Sequence, residues 1–428
     1  MLLVFILFLL FVLMGMPVAF AFGISGVAFF LLNSSLPLTI PVQLVLSQTQ
    51  SFLLLAIPLF VLAGNLLNET SITERVMKLA SVLTGHMRAG LAQSNMVLAA
   101  SLGGVTSSAI GDATMLSRVL GPGMIKKGYS RGFSAGVIGC SSLITTMIPP
   151  GIGLVLYGSI GEVSIGRLFA AGMIPGLLMT FFLMAAVGLA ARQRGYAPER
   201  VHRATLKEAA ATFVDSVWAF LFPVLLIVGL RFGLFTPSEA GAFACAYAIV
   251  VGAVAYRQFT WKKLIKALEN TVVDIGMVML LIALSAIFSY GIIWERLPQQ
   301  LAELMVGVSS VPWIAMLLII VFLLLAGTFM DSTVLILMLT PILVPVALQL
   351  HIDLVHFGIV MVLTLTLGLL SPPEGAVLYI ICSVFQCSIW EFMKESWLLQ
   401  LAIVLVVVLV IFWPQLALWL PNLIFGKG

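Results

Sequence analysis

Charge is scarce in this chain: Asp, Glu, Lys and Arg make up 9% of its 428 residues, against about 25% in a soluble domain. With 61% of residues hydrophobic and a mean hydropathy of +1.18, water could not solvate its surface. Lipid must be the solvent for most of it. The four cysteines, Cys140, Cys245, Cys382 and Cys387, lie in or beside apolar segments without the spacing of a metal site, and read as buried, inert thiols. The four histidines do not cluster. No GxxxxGK[ST] motif occurs, which excludes a P-loop ATPase. The apolar start, Met1 to Leu32, has no basic region ahead of it. It therefore reads as two spans joined at Gly15-Met16-Pro17 rather than as a cleaved signal peptide.

What the chain does have is apolar length, enough for roughly ten spans of about 20 residues. Its few charges are grouped. Arg192, Arg194, Arg200, Arg203 and Lys207 form one basic cluster, and Arg257, Lys262, Lys263 and Lys266 a second. Two apolar stretches, about 216–231 and 239–256, lie between them and meet at Thr236-Pro237, so both clusters share a side. The positive-inside rule makes that side cytoplasmic; nucleic-acid binding is a weak alternative for juxtamembrane charges. Counting outward from this anchor assigns most of the 21 Lys and Arg to the cytoplasm and both termini to the outside.

Two Pro-Pro pairs occur, Pro149-Pro150 and Pro372-Pro373, each inside a long apolar segment. One constant offset carries the first pair onto the second, and also Gly104 onto Gly327, Pro122 onto Pro345 and Ser108 onto Asp331. Helix-breaking residues at matching places in two halves of a membrane protein point to a transport site. The stretch 89–125 starts and ends beside basic residues and has the small, polar middle "SLGGVTSSAIGD". It reads as a re-entrant hairpin open to the cytoplasm, since irregular backbone at membrane depth survives only inside protein or beside a cavity. The stretch 312–350, broken at "GTFMDST", reads as a second hairpin entering from outside. Segments 133–157 and 356–382 read as helices broken at the proline pairs, and 397–420 as a closing span. Amphipathic stretches at 68–88 and 294–305 precede the hairpins and read as interfacial arms. The expected plan is an all-α polytopic membrane protein. Scaffold helices fill 1–50, a first repeat 51–191, central scaffold helices and basic loops 192–270, and a second, inverted repeat 271–420.

A mid-membrane site for a cation and a carboxylate needs oxygens for the one and free N–H groups for the other. Broken helices supply both, as C-terminal carbonyls and N-terminal amides. Proline at the break removes a donor and frees a carbonyl one turn back. "SSLITTMIPPG" and "TLTLGLLSPPEG" set hydroxyls just before the prolines. The hairpin tips, Thr106-Ser107-Ser108 and Asp331-Ser332-Thr333, would face these breaks. Ser, Thr and Asp are also good helix N-caps, and a cap site is itself an anion site. Asp112 and Asp331 are acids in apolar surroundings, where carboxylates are costly and mark function. Two such acids could serve an intramembrane aspartyl protease, but that signature needs glycine at Ala109 and a Pro-Ala-Leu motif that is missing. Glu374, next to the second break, could meet a cation or line a solvated cavity; the residues leave both open.

The run from "GGVTSSAIGDATMLSRVLGPGMIKKGYSRGFSAGVIGCSSLITTMIPPGIGLVLYG" and the run "GTFMDSTVLILMLTPILVPVALQLHIDLVHFGIVMVLTLTLGLLSPPEGAVLYI" resemble the large, DctM-type membrane subunit of tripartite ATP-independent periplasmic (TRAP) transporters. The resemblance extends over nearly the whole chain. It implies a non-enzymatic secondary importer in the bacterial inner membrane, coupled to Na⁺ and needing no other cofactor. It implies an elevator architecture, in which two hairpins and two broken helices slide as a body against a scaffold. Its partners would be a separate small four-helix membrane subunit of the DctQ type and a periplasmic binding protein of the DctP type that delivers a small organic acid. Carried over by motif, one Na⁺ site would use Thr106, Ser108, Thr145, Ile148 and Pro150. A second would use Gly327, Asp331, Gly368, Ser371 and Pro373. Substrate would lie near Ser108, Asp112, Asp331, Ser332 and Thr333. The chain departs from the family at Gly151, where serine is common, and at Glu374, where a small or apolar residue is common. A stand-alone sodium–carboxylate symporter is the alternative reading.

Overall fold

A computed structural model describes residues 2–50, 52–70, 72–106, 108–200, 202–308, 312–372 and 375–426. Among these residues the structure is helical, and the one β pairing is an isolated bridge between Arg88 and Pro198. The first half contains α1 (Leu2–Leu13), α2 (Val18–Leu32), α3 (Ile40–Thr49), α4 (Ala56–Asn68), α5 (Ile72–Thr84), α6 (Gly90–Thr106), α7 (Ala109–Lys126), α8 (Arg131–Ser142), α9 (Ile152–Ile160) and α10 (Ile165–Arg194). A 3₁₀ turn, Ile144–Thr146, lies between α8 and α9. The second half contains α11 (Leu206–Arg231), α12 (Pro237–Val250), α13 (Trp261–Trp294), α14 (Leu297–Val308), α15 (Pro312–Gly327), α16 (Ser332–Gln349), α17 (Leu354–Gly368), α18 (Ala376–Phe385), α19 (Ile389–Phe412) and α20 (Gln415–Phe425). A π turn, Val251–Ala255, extends α12.

Six of these are long and apolar enough to cross a membrane: α10, α11, α12 with its π turn, α13, α16 and α19. At 30 residues, α10 extends about 45 Å. Two expectations need correction. The chain turns at Gly15 as read, with φ +81°, but α1 and α2 have only 12 and 15 residues. Each is shorter than the about 20 residues expected of a span, and the two pack against each other. The closing span over 397–420 is two helices, because Pro414 brings no amide to continue the ladder past Trp413.

The core lies where the two halves meet. Phe8, Phe22 and Phe288 make one of its aromatic clusters, with centroids 4.7–5.3 Å apart, and so join α1 and α2 to α13. The outer face of α13 is apolar and open: Val272, Val273 and Met277 are exposed by 70%, 62% and 72%. Such a surface is stable against acyl chains and not against water.

The connections gather at the two ends of α10. At its C-terminal end, the Gly85 carbonyl accepts from the amides of Glu199 and Arg200 at 3.0 and 2.9 Å. There Arg194 pairs with Glu395 at 2.5 Å, the Ser130 hydroxyl donates to the same carboxylate, and Arg131 donates to the Gln386 carbonyl at 3.3 Å. At the other end, Arg167 donates to Asn422 Oδ1 and to the Gly426 carbonyl, both at 2.8 Å. A cavity of about 480 Å³ opens there between Glu162, Phe235, Pro237 and Phe425.

Candidate functional site

The first break is a run of buried hydroxyls. Each donates back along its own helix: Ser142 Oγ to the Gly139 carbonyl, Thr145 Oγ1 to Ser142 and Thr146 Oγ1 to Leu143, all at 2.8 Å. A hydroxyl whose proton is spent in this way presents its lone pairs outward, as a cation requires. Beyond the 3₁₀ turn come Ile148 and the cis Pro149-Pro150 bond, and Gly151 opens α9. Thr145, Ile148 and Pro150 are all buried. The end of α6 lies on this break. A Cβ on Gly103 would stand 2.7 Å from Ile148 Cβ and 3.2 Å from Thr145 Cα, so only glycine permits the approach. Helix α6 ends at Thr106. Ser108 caps α7, its Oγ accepting from the Gly111 amide at 3.3 Å. Asp112 follows in the first turn of α7 and is completely buried.

The second break has the same parts in the same order. Helix α15 ends at Gly327, and α17 ends at Gly368. The two glycines are in backbone contact: a Cβ on Gly368 would lie 2.4 Å from the Gly327 carbonyl. Asp331 caps α16, accepting from the Thr333 amide at 2.8 Å; Ser332 and Thr333, half-buried, open that helix. Ser371 donates from its amide to the Gly368 carbonyl at 3.0 Å and from its hydroxyl to Leu367 at 3.3 Å. Ser107, Pro373 and Glu374 lie outside the described residues. A cavity of about 200 Å³ reaches Gly327, Asp331, Leu369 and Ala376, with Val12 and Val18 from the first two helices on its wall.

The halves then exchange partners. After the first break, α9 packs on α16, and after the second, α18 packs on α7. The first break also touches α17. Each capped helix therefore rests on the broken helix of the other half. At the first break the end of α6 meets Thr145 and Ile148 through Gly103, and at the second Gly327 meets Gly368 with Asp331 on the same cavity wall.

Two further polar groups belong to this region: Thr364, one of the hydroxyls read before the second proline pair, and Asn95, which escaped the sequence reading. Asn95 of α6 is buried and donates to Ser141 Oγ at 2.6 Å. Thr364 of α17 is buried one turn before Gly368, at the position equivalent to Ser141. Asn95 Oδ1 and Thr364 Oγ1 have no hydrogen-bond partner among the described residues, and a buried orphan oxygen calls for a reason. The polar run Gln93-Ser94-Asn95 near the start of α6 was the available signal. The described residues hold no group of three or more His, Cys, Asp or Glu side chains fit for a metal. The breaks offer hydroxyl and carbonyl oxygens, the ligands of hard cations.

A lipid-facing all-helical body with two capped helix breaks is the fold of a multi-pass membrane transporter. The Alcanivorax borkumensis YdaH transporter shares it, with a TM-score of 0.52 at 15% identity over 88% of each chain. Within that class the chain belongs to the DctM family, described as the "Tripartite ATP-independent periplasmic transporter, DctM component", whose pattern matches residues 5–416. It is 36% identical over 414 residues, 97% of this chain and 96% of the other, to the sialic acid TRAP transporter large permease protein SiaM of Vibrio cholerae. It is 30% identical over 437 residues, 99% of each, to the C4-dicarboxylate TRAP transporter large permease protein DctM of Rhodobacter capsulatus. The chain is therefore a transporter permease subunit and not an enzyme, which removes the protease reading of Asp112 and Asp331.

Proposed function

We propose that the chain imports a small organic acid anion across the bacterial inner membrane, driven by Na⁺. One Na⁺ is held at the first break by Thr106, Ser108, Thr145 and the carbonyls of Ile148 and Pro150. A second is held by Gly327, Asp331, Gly368, Ser371 and Pro373. Each capped helix carries one acid at its start, Asp331 as the cap of α16 and Asp112 in the first turn of α7, and these carboxylates draw the cations. The amides at the two helix starts serve the substrate anion. Substrate then lies between the tips, near Ser108, Asp112, Asp331, Ser332 and Thr333. Each Na⁺ moved inward across 100 mV supplies roughly 2.3 kcal/mol. The carried acids named for the two relatives, sialic acid and C4-dicarboxylates, share the carboxylate, and that group is the substrate class proposed here.

In this reading the two hairpins are re-entrant and enter from opposite faces. Hairpins and broken helices move together as an elevator body, while α5 and α14 lie in the interface as arms that limit it. Both termini are periplasmic. A small four-helix DctQ-type subunit widens the scaffold, and a DctP-type periplasmic protein hands over the substrate. The observation that carries the proposal is the paired approach of a helix end to a break, Gly103 over Thr145 and Ile148, and Gly327 against Gly368.

The test is uptake into proteoliposomes holding this chain and its small partner, with and without the binding protein. Accumulation should require an inward Na⁺ gradient together with the binding protein. Equal uptake from a pH gradient without Na⁺ would refute the coupling. Full uptake without the binding protein would favour a stand-alone symporter.

A further inference from the structure

The C-terminus of α18 closes in a Schellman turn. Gln386 is left-handed at φ 50°. Its amide donates to the Ser383 carbonyl at 3.3 Å, and the Cys387 amide reaches back to the Cys382 carbonyl at 3.1 Å. These crossed bonds fold the residue after the left-handed position onto the helix residue five before it, where two apolar side chains usually meet. Here two thiols meet. The backbone bond from Cys387 to Cys382 sets the two thiol-bearing residues side by side at the turn. Cys382 is 6% exposed and Cys387 is half-buried. Cys140 is completely buried, and Cys245 donates to the Leu59 carbonyl at 3.1 Å.

Cys387 lies in the short connection between α18 and α19. The neighbouring Cys382 thiol holds the Cys387 thiol below the ordinary cysteine value, and burial and the nearby carboxylates of Glu391 and Glu395 work against this. The thiolate is the reactive form. We propose that Cys382 and Cys387 form a redox-active dithiol that a hydroperoxide converts to an intramolecular disulfide. The Cys387 thiolate attacks the terminal peroxide oxygen. The O–O bond breaks, and the departing hydroxide or alkoxide takes up a proton to leave as water or an alcohol. Cys387 is left as a sulfenic acid. The Cys382 sulfur then attacks the Cys387 sulfur; the S–O bond breaks, and its hydroxide takes the Cys382 proton as water. Two thiols lose two electrons and the hydroperoxide gains them. A dithiol reductant reverses the change by exchange.

The position gives the bond a consequence. The Phe385 ring lies against α7, 2.9 Å from where a Cβ on Gly121 would stand. Arg131 at the start of α8 donates to the Gln386 carbonyl at 3.3 Å. A disulfide here stiffens the corner where the second broken helix meets the first hairpin and α19. In the proposed orientation this corner is cytoplasmic, and on that reading oxidation slows the moving body.

The deciding experiment titrates the full chain in lipid nanodiscs with hydrogen peroxide, blocks remaining thiols with a maleimide after denaturation, and maps the digest by mass spectrometry. The expected product is a Cys382–Cys387 linked peptide that dithiothreitol reverses, with Cys140 and Cys245 still alkylated. Phenylarsine oxide, which bridges paired thiols, should prevent both alkylation and oxidation of the pair in the native chain, and should not protect Cys382 in Cys387→Ser. Recovery of both residues as free thiols, or of Cys387 as sulfinic acid with no linked peptide, would overturn the proposal. These readouts do not depend on transport. Uptake that falls severalfold on oxidation and returns on reduction supports the mechanical role. Unchanged uptake with the disulfide fully formed overturns that role alone.

Discussion

Ser108 and Asp331 occupy the same place in their two halves, each capping the second helix of its hairpin. The acid is the cap itself in α16 and lies in the first turn, at Asp112, in α7. Ser108→Ala removes a cap worth about 1 kcal/mol and should lower the unfolding temperature modestly. It should also raise the Na⁺ concentration needed for half-maximal uptake, and an unaltered Na⁺ response would take Ser108 out of the cation site. A different acid governs the pH response. Glu199, in the loop after α10, is pushed above the usual carboxylate value by burial, against the opposing pull of Lys127 and the Leu91 amide. Its Oε1 has no hydrogen-bond partner among the described residues. An acid whose folded pKa is raised contributes stability that is present below its unfolded pKa and is lost as pH rises through the folded value. Glu199→Gln should therefore unfold at a higher temperature than the parent above that window and at a similar temperature below the ordinary carboxylate range. Parallel curves across pH would contradict this.

At the scale of elements, the glycine contact between α15 and α17 sets a sharp asymmetry. A methyl on Gly368 would meet the Gly327 carbonyl at 2.4 Å, whereas a methyl on Gly327 meets the Leu365 carbonyl at 3.3 Å. Backbone cannot retreat as a side chain can, so Gly368→Ala should cost about 1–3 kcal/mol and Gly327→Ala clearly less. Thermal unfolding in detergent measures both, and equal losses would mean that the helix ends are looser than described. Helix ends set by residue chemistry were legible beforehand: the Ser108 and Asp331 caps, the turn at Gly15, the boundary at Thr236-Pro237. Helix α3 went unread although Pro41 stands in its first turn, a common start signal. The closing span was read through Pro414, because apolar composition continues across a break that the proline itself signals.

For the whole molecule, composition fixed the solvent and the helical class, and the repeated proline pairs marked both breaks. Other features needed three dimensions. Asn95 meets Ser141 only because α6 packs on α8. The exchange of α9 and α18 between halves cannot be read from any local pattern. The dithiol was hidden because its spacing matches no metal motif and gains meaning only from the turn at Gln386. The account as a whole rests on a cation held at the first helix break. Its most direct test is the Na⁺ dependence of uptake by Thr145→Val, a change of similar volume that deletes one buried oxygen. Losing a ligand worth about 1.4 kcal/mol shifts half-saturation about tenfold, so the curve should move to higher Na⁺ by that order while the folded protein and its partner remain associated. A Thr145→Val protein that folds, transports and shows the parent's Na⁺ curve would contradict the account.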